Sequence, residues 1–407
     1  MARDTSHTSR IGIAGTGFVA RHLARLIHEQ AGLEPSLVLT RRHDLMGADF
    51  EGVPCTGDHH RLIEASDLIV ACSGDLLQNA VLITEAVDAD CAIVTVDPSF
   101  HLIAGSLIAG QGQLSEVLAG AAGRLFQLIQ SGRAMGLTVA AGALAVPMTD
   151  GTSLGDAACW AHHKGISVPS ALACLDGTLT QLALALVANA AGCDLLCEGG
   201  FSPVARHNDE AMAQLAEAAR AHGRTIVDQI LVPEGQRTTA MIVGSHASDQ
   251  CEALAHHGFG EGPLCHLERT VEPLPMAILA TIDQLLRQGG NSLRLDRTPA
   301  YSVAAIAKEP LAAGTRFAYG VGSLSLKGET VRTIDHPNHL PIGLAQGVVL
   351  TKTVEQGELL SLENVELPDS LAADAWMSRR GRVIAEADIT AQPLTDLSET
   401  DEVRLAG

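Results

Sequence analysis

The chain has 407 residues, too many for one ordinary hydrophobic core, so about two or three domains are expected. With 46% hydrophobic and 18% charged residues it has the balance of a globular enzyme, not that of a disordered or fibrous chain. Its 47 acidic residues against 27 basic ones leave a formal charge of −20, which argues against nucleic acid as a partner and allows a small anionic substrate only in a locally basic pocket.

The opening MARDTSHTSR is polar with no apolar segment behind it, so no signal peptide is expected. Uninterrupted apolar runs stay short of the ~20 residues that a membrane span needs, which predicts no membrane partner. Nine scattered cysteines form no framework, which points to reduced thiols and a cytoplasmic location.

The stretch RIGIAGTGFVARHLARLIHEQ reads as strand, glycine turn and helix. Gly15-x-Gly17-x-x-Ala20 matches a dinucleotide fingerprint: Gly15 for the tight turn, Gly17 for close approach of a pyrophosphate, Ala20 for helix–strand packing. Phe18 and Val19 open the helix whose free N–H groups would receive that pyrophosphate. A second strand, Ser36 to Thr40, runs into Thr40-Arg41-Arg42, where an acidic residue would select NAD(H). Two guanidiniums and a hydroxyl there favour NADP(H), with NAD still admissible; two solvated surface arginines are the plainer reading. Further strands at Asp67–Gly74, Cys91–Ser99 and Gly136–Ala143, alternating with helical stretches, predict an α/β domain over 1–146 with a parallel, doubly wound Rossmann sheet. Ligands sit beyond the carboxyl ends of such strands, which places Ser73, Gly74 and Asp97 near a nicotinamide.

From 147 to 300 the pattern predicts a central α+β domain, with strands in SALACLDG and TTAMIVGS. The helix Ala277 to Gly289 is expected to pack back on the Rossmann sheet, with substrate held between the two domains. Within ALACLDGTLTQLALALVANAAG, the segment from Leu179 to Ala191 carries no charge and only Thr180, Gln181 and Asn189 as polar side chains. Such a helix belongs in an interior. Residues 301–407 contain a repeat: AKEPLAAGTRF recurs as LTKTVEQGELL, aligning Leu311 with Val354, Gly314 with Gly357 and Phe317 with Leu360. It predicts a small β-rich domain.

That repeat resembles the SAF (antifreeze-like) module. The whole chain is similar to the homoserine-dehydrogenase-like oxidoreductases with a C-terminal SAF domain, of which the deoxyxylulose-phosphate reductoisomerase-like enzymes are one branch. The fingerprint, the two arginines, LDGTLTQLALALVANAAG, GFGEGPL and the repeat carry the resemblance. It implies NADP-linked oxidation or reduction of a CH–OH group, with or without isomerisation, on a sugar phosphate or sugar acid. The chain departs from that pattern at three positions. Leu179 stands where the resemblance implies Lys, Ala183 where it implies Glu, and Ala145 where it implies Asp.

With those groups missing, AHHKG offers the best remaining chemistry: Lys164 as general acid or anion anchor, His163 as proton carrier, His162 on the substrate. A solvated loop is the plainer alternative. Arg206 and His207 in GGFSPVARHND form a second candidate, Arg206 as a carboxylate or phosphate clamp and His207 as catalytic. Gly258, Gly260 and Gly262 would permit close substrate approach. Gly142, in AAGALAVPMTDG, is assigned to substrate; that turn is similar to one in L-aspartate dehydrogenase, which makes an aspartate-type amino-acid dehydrogenase an alternative. A protein that retains a dinucleotide without redox chemistry is another. Cys193-x3-Cys197, Cys265-His266 and the His pairs lack structural-zinc spacing, so no metal is expected. A homo-oligomer is expected from the large apolar fraction with only 3% aromatics.

Overall fold

The computed structural model describes residues 8–108, 110–148, 153–204, 207–257, 262–288, 293–295 and 299–391, the last ten of these by backbone only. The chain begins with β1 (Ser9–Ala14), α1 (Phe18–His28), β2 (Leu33–Leu39), β3 (Asp49–Phe50), β4 (Val53–Thr56), α2 (His59–Glu64), β5 (Leu68–Ala71), α3 (Leu76–Asp88), β6 (Ala92–Thr95), α4 (Pro98–Ile103) and β7 (Leu114–Glu116). The seven strands form one sheet in the order β3-β4-β2-β1-β5-β6-β7, parallel except for β3. Strand order reverses between β1 and β5, which opens a ligand crevice at their carboxyl ends. Alternation along β5 shows why both faces are covered. Leu68 and Val70 join α1 in one core, while Ile69 and Ala71 join α3 in another.

Next come α5 (Ala121–Ala134), β8 (Thr138–Pro147), α6 (Leu154–Lys164), α7 (Val168–Leu175), α8 (Thr178–Ala191), α9 (Asn208–His222), β9 (Ile226–Val232), β10 (Thr239–Ser245), α10 (Cys251–His256), β11 (Leu264–Thr270) and α11 (Leu274–Gln288). A second sheet runs β11-β10-β8-β9, with α5 and α8 against one face and α9 against the other. As the sequence implied, α11 returns to the first sheet: Ala277, Ile278, Ile282 and Leu285 complete the core around α1.

Two strand expectations are corrected. The strand predicted at 136–143 is β8, and it pairs with β9 and β10 and not within the first sheet. The edge of the first sheet belongs to β7, a three-residue strand too short to announce itself. SALACLDG is no strand: it ends α7, which Ser167 caps through the Ser170 N–H and which carries a proline in its first turn. A short apolar run alone cannot distinguish strand from helix.

The last region holds β12 (Tyr301–Ala307), β13 (Leu326–Arg332), β14 (Val349–Leu350), β15 (Val365–Glu366) and α12 (Leu371–Ala391), the last a helix that the β-rich expectation omitted. The sequence repeat is a structural one. Leu311 and Val354 exchange both backbone hydrogen bonds, at 2.8 and 2.9 Å. The Gly314 N–H donates to the Leu350 carbonyl, and the matching Gly357 N–H donates to the Ala307 carbonyl. Both glycines have positive φ, 87° and 82°, which is why the residue recurs at that turn.

Helix α8 is the axis of the molecule. Leu182 through Ala188 are buried on every side, so the apolar stretch is core. Its polar side chains dock the β12–β13 hairpin. Thr178 Oγ1 accepts from the Gly328 N–H and Gln181 Oε1 from the Thr330 N–H, while Asn189 both donates to and accepts from the Tyr301 backbone. Three polar residues satisfy a strand edge that would otherwise be buried without partners.

Candidate functional site

A cavity of about 720 Å³ lies at the carboxyl ends of β1, β2 and β5, bounded by Ala14–Gly17, Leu39–Arg42, Gly57, His59, Ser73 and the outer face of α3. Gly15 turns with φ +131°, and a Cβ there would meet the Cys72 carbonyl oxygen at 2.9 Å, so this position needs glycine. A Cβ on Gly17 would meet nothing within 4 Å: open space fronts the first turn of α1, whose N-cap has no side-chain hydrogen bond. Ala20 is fully buried against the sheet, while Val19 and Phe18 flank it on the outside. These residues fit a dinucleotide: unclaimed N–H groups face an open volume sized by two glycines.

The wall opposite carries polar groups. Thr40 is buried and its Oγ1 accepts from the Arg42 N–H. Arg41 reaches Asp75 at 2.7 Å, and Arg42 reaches Asp44 at 2.7 Å, which holds the Asp44 carboxyl below its usual range. Both arginines remain more than half exposed, with further guanidinium donors available. Ser73 donates to Asn79 Oδ1 at 2.8 Å and, through its own oxygen, accepts from the Asp75 N–H. Asn79 is 1% exposed, lines the cavity, and its Nδ2 has no hydrogen-bond partner in the protein. An orphaned donor on the wall is the kind of group a ligand satisfies. Asp75 and Asn79 were not singled out from sequence. The strand–Ser–Gly–Asp pattern ahead of a helix was the available signal, since Asp75 caps α3 through the Gln78 N–H.

Asp97 lies elsewhere. Its carboxylate caps α4, accepting from the Ser99 N–H and hydroxyl, and is not part of the cavity wall. Burial pushes it up, and Glu116 at the end of β7 is pushed well above its ordinary value by burial and then by the Asp97 charge. Gly74, at φ +71°, turns the chain from β5 into the α3 cap.

A second cavity, of about 620 Å³, lies between the end of β8 and the start of α8. Leu144, Val146, Met148, Leu179, Leu231 and Trp160 make it apolar. Asp176, with its side chain 2% exposed, lies in its wall and is paired at 2.6 Å with Lys308 from the end of β12. The Cys174 thiol is pushed up to about 11 by burial. Leu179 projects into this space, and Ala183 is buried in the core one turn on. Ala145 is buried on the opposite face of the sheet, against α9.

His162, His163 and Lys164 form the exposed last turn of α6, where cations complement the helix dipole. His163 Nδ1 contacts the Cys159 carbonyl at 2.9 Å. Lys164 Nζ stands 5.8 Å over the Trp160 ring, and a Cβ on the next residue, Gly165, would touch the Phe18 ring at 3.6 Å. The turn therefore links the start of α1 to the rim of the apolar cavity.

Two other placements are corrected. His207 is the N-cap residue of α9 and shares an open cleft with Asp209, His266 and Met241 on the α9 face of the second sheet, opposite the face that carries the apolar cavity. Gly142 faces α5, where a Cβ would press on Leu125 and Ile129 at 3.1 Å: it is a packing glycine and lines neither of the two cavities above. Gly262 presses on Cys251 in the same way. Arg206, Gly258 and Gly260 lie outside the described residues.

No protein-family model matches the chain, and no curated protein matches it in sequence. Distantly similar solved structures include a homoserine dehydrogenase from Thiobacillus denitrificans, with 14% identity, 75% of this chain and 83% of that one covered, and a TM-score of 0.42. A probable dehydrogenase from Thermotoga maritima has 12% identity, 70% and 91% coverage and a TM-score of 0.41. A myo-inositol dehydrogenase from Corynebacterium glutamicum has 12% identity, 69% and 89% coverage and a TM-score of 0.40. At such distances the chemistry has to be read from this chain's own residues.

Proposed function

We propose that this protein is an NADP-dependent oxidoreductase whose substrate occupies the apolar cavity beside α8. The single observation that carries it is the glycine-turn cavity: α1 opens uncapped at Gly17 onto open space, with Thr40, Arg41, Arg42, Ser73 and Asn79 around it. Bound there, a nicotinamide cofactor would supply or accept a hydride. The α1 N–H groups would hold the pyrophosphate, and Asn79 Nδ2 would donate to the cofactor. Arg41 would turn its unused guanidinium donors to a 2′-phosphate while Asp75 fixes its orientation. NAD(H) would leave those donors unused, which is the reason for preferring NADP(H).

Lys164 is the group proposed to exchange a proton with substrate or to anchor its anionic end, since its turn lies beside Phe18 and its ammonium stands over Trp160, which lines the apolar cavity. Leu179, Leu144 and Trp160 give the cavity an apolar wall, which favours a small anionic carbonyl or hydroxyl compound with a hydrocarbon body over a bare sugar phosphate. The internal pairing of the C-terminal repeat supports its assignment as an SAF-like module that sets Lys308 against Asp176. Calorimetric titration with NADPH, NADP⁺, NADH and NAD⁺ tests the reading. Micromolar binding of the phosphorylated pair is expected; equal or tighter binding of NADH removes the arginine argument.

One observation favours a second reading. Among the described residues, the ionisable groups in the apolar cavity wall are Asp176, locked to Lys308, and Cys174, protonated near neutral pH. A protein that binds the dinucleotide as a sensed or structural ligand would need no proton donor there. A co-purifying nucleotide that never turns over, with Lys164→Ala leaving the protein's behaviour unchanged, would favour it.

A further inference from the structure

We infer that His59, His60 and Glu85 form a divalent transition-metal site between α2 and α3, at the rim of the nucleotide cavity. His59 Nε2 lies 2.7 Å and His60 Nδ1 3.4 Å from the same oxygen, Glu85 Oε2, and all three ligand atoms fall within 4.8 Å of one another. Tetrahedral ligands at about 2.1 Å from zinc stand about 3.4 Å apart, so a common centre needs only small side-chain adjustments.

His59 Nε2 and Glu85 Oε2 are both shielded from solvent, yet neither makes a hydrogen bond despite their proximity. Both atoms point at one small volume that a cation could occupy, with His60 Nδ1 as the third ligand. The two imidazole rings lie 4.3 Å apart, tilted by 39°. Asp58 fixes the local backbone by capping α2 through the His60 and Arg61 N–H groups, so both imidazoles leave a defined first turn.

Two imidazoles and one carboxylate suit Zn²⁺, Co²⁺ or Ni²⁺ in preference to Ca²⁺ or Mg²⁺. Three protein ligands leave a position open, unlike a closed structural site. His60 is 69% exposed, which gives the ion a route in, and His59 lines the cavity, which brings the cation to its wall. Adjacent histidines alone lacked ligand spacing in the sequence; the third ligand comes from the next helix. The site does not depend on the oxidoreductase reading.

The test uses the full chain, stripped with EDTA and titrated with Zn²⁺ against a chromophoric chelator, and with Co²⁺ by absorption. One Zn²⁺ per chain is expected, together with cobalt bands of nitrogen and oxygen ligation lacking thiolate charge transfer. His59→Ala and Glu85→Gln should each weaken zinc binding at least tenfold, and Zn²⁺ should raise the melting temperature of the wild type but not of these variants. Unchanged affinity in both variants, thiolate bands from the nine free cysteines, or no binding at all would overturn the site. Melting of the metal-free variants shows that they remain folded.

Discussion

Helices α1 and α8 both begin at a glycine N-cap, which offers no side chain of its own, and they open onto different surroundings. In front of α1, Arg41, Arg42, Ser73 and the orphaned Asn79 amide stand around the cavity. In front of α8, Leu179, Trp160 and Met148 surround an apolar one, and the nearest carboxylate, Asp176, caps the Thr178 N–H and is neutralised by Lys308. A glycine N-cap alone therefore does not make an anion site: at α8 the chain's own carboxylate already takes the first N–H. The α1 end is suited to an anion because its surroundings are cationic and donor-rich, while the α8 end has been absorbed into the fold.

The comparison breaks most visibly at Lys308. Replacing it with Ala leaves Asp176 buried and uncompensated, and should cost about 3–5 kcal/mol in chemical denaturation, with NADPH affinity unaltered in the folded fraction. Gly15→Val is the counterpart at α1. Its side chain would strike the Cys72 carbonyl, and NADPH affinity by calorimetry should fall at least about a hundredfold. Gly177→Ala, at the matching place on α8, meets nothing within 4 Å and should cost only about 1–2 kcal/mol of backbone strain, with no effect on NADPH. Lys164→Ala should lower turnover about a hundredfold at unchanged cofactor affinity, measured once a substrate is in hand.

Smaller effects sharpen the picture. Arg42→Ala should weaken NADPH about tenfold and leave NADH unchanged, since only a 2′-phosphate would call on its charge. The Glu116 carboxyl ionises at higher pH in the fold than in the unfolded chain. Its neutral form is favourable below the ordinary value of 4.5, and that contribution is lost as pH rises through the raised folded value. Glu116→Gln should therefore raise the melting temperature by a few degrees at pH 8 and by less at pH 5.

How much of this was legible in the sequence follows from the range of each interaction. The Gly15–Ala20 turn, the arginines after β2 and the Leu311/Val354 repeat are local patterns, and each stands where the sequence reading put it. The return of α11 was legible from its apolar stripe. The partnership of Asp176 with Lys308 was not, because more than a hundred residues separate them. Nor was the membership of β8: its alternation is the same in either sheet, and only β9 and β10 decide which one it joins. Among the site candidates, Gly142 stands against α5 and His207 starts α9 in a separate cleft, and residue type alone announces neither placement.

The hydrogen bonds from Gly328 and Thr330 to Thr178 and Gln181 span 150 and 149 residues. A chain made at about 5–20 residues per second completes the hairpin roughly 7–30 s after α8 has been synthesised. Through that interval a helix that the finished fold buries on nearly every side lacks the β12–β13 strands that cover it. The nascent chain thus exposes α8 in the middle of its own synthesis, and a chaperone that shields it until β13 arrives would act in that interval.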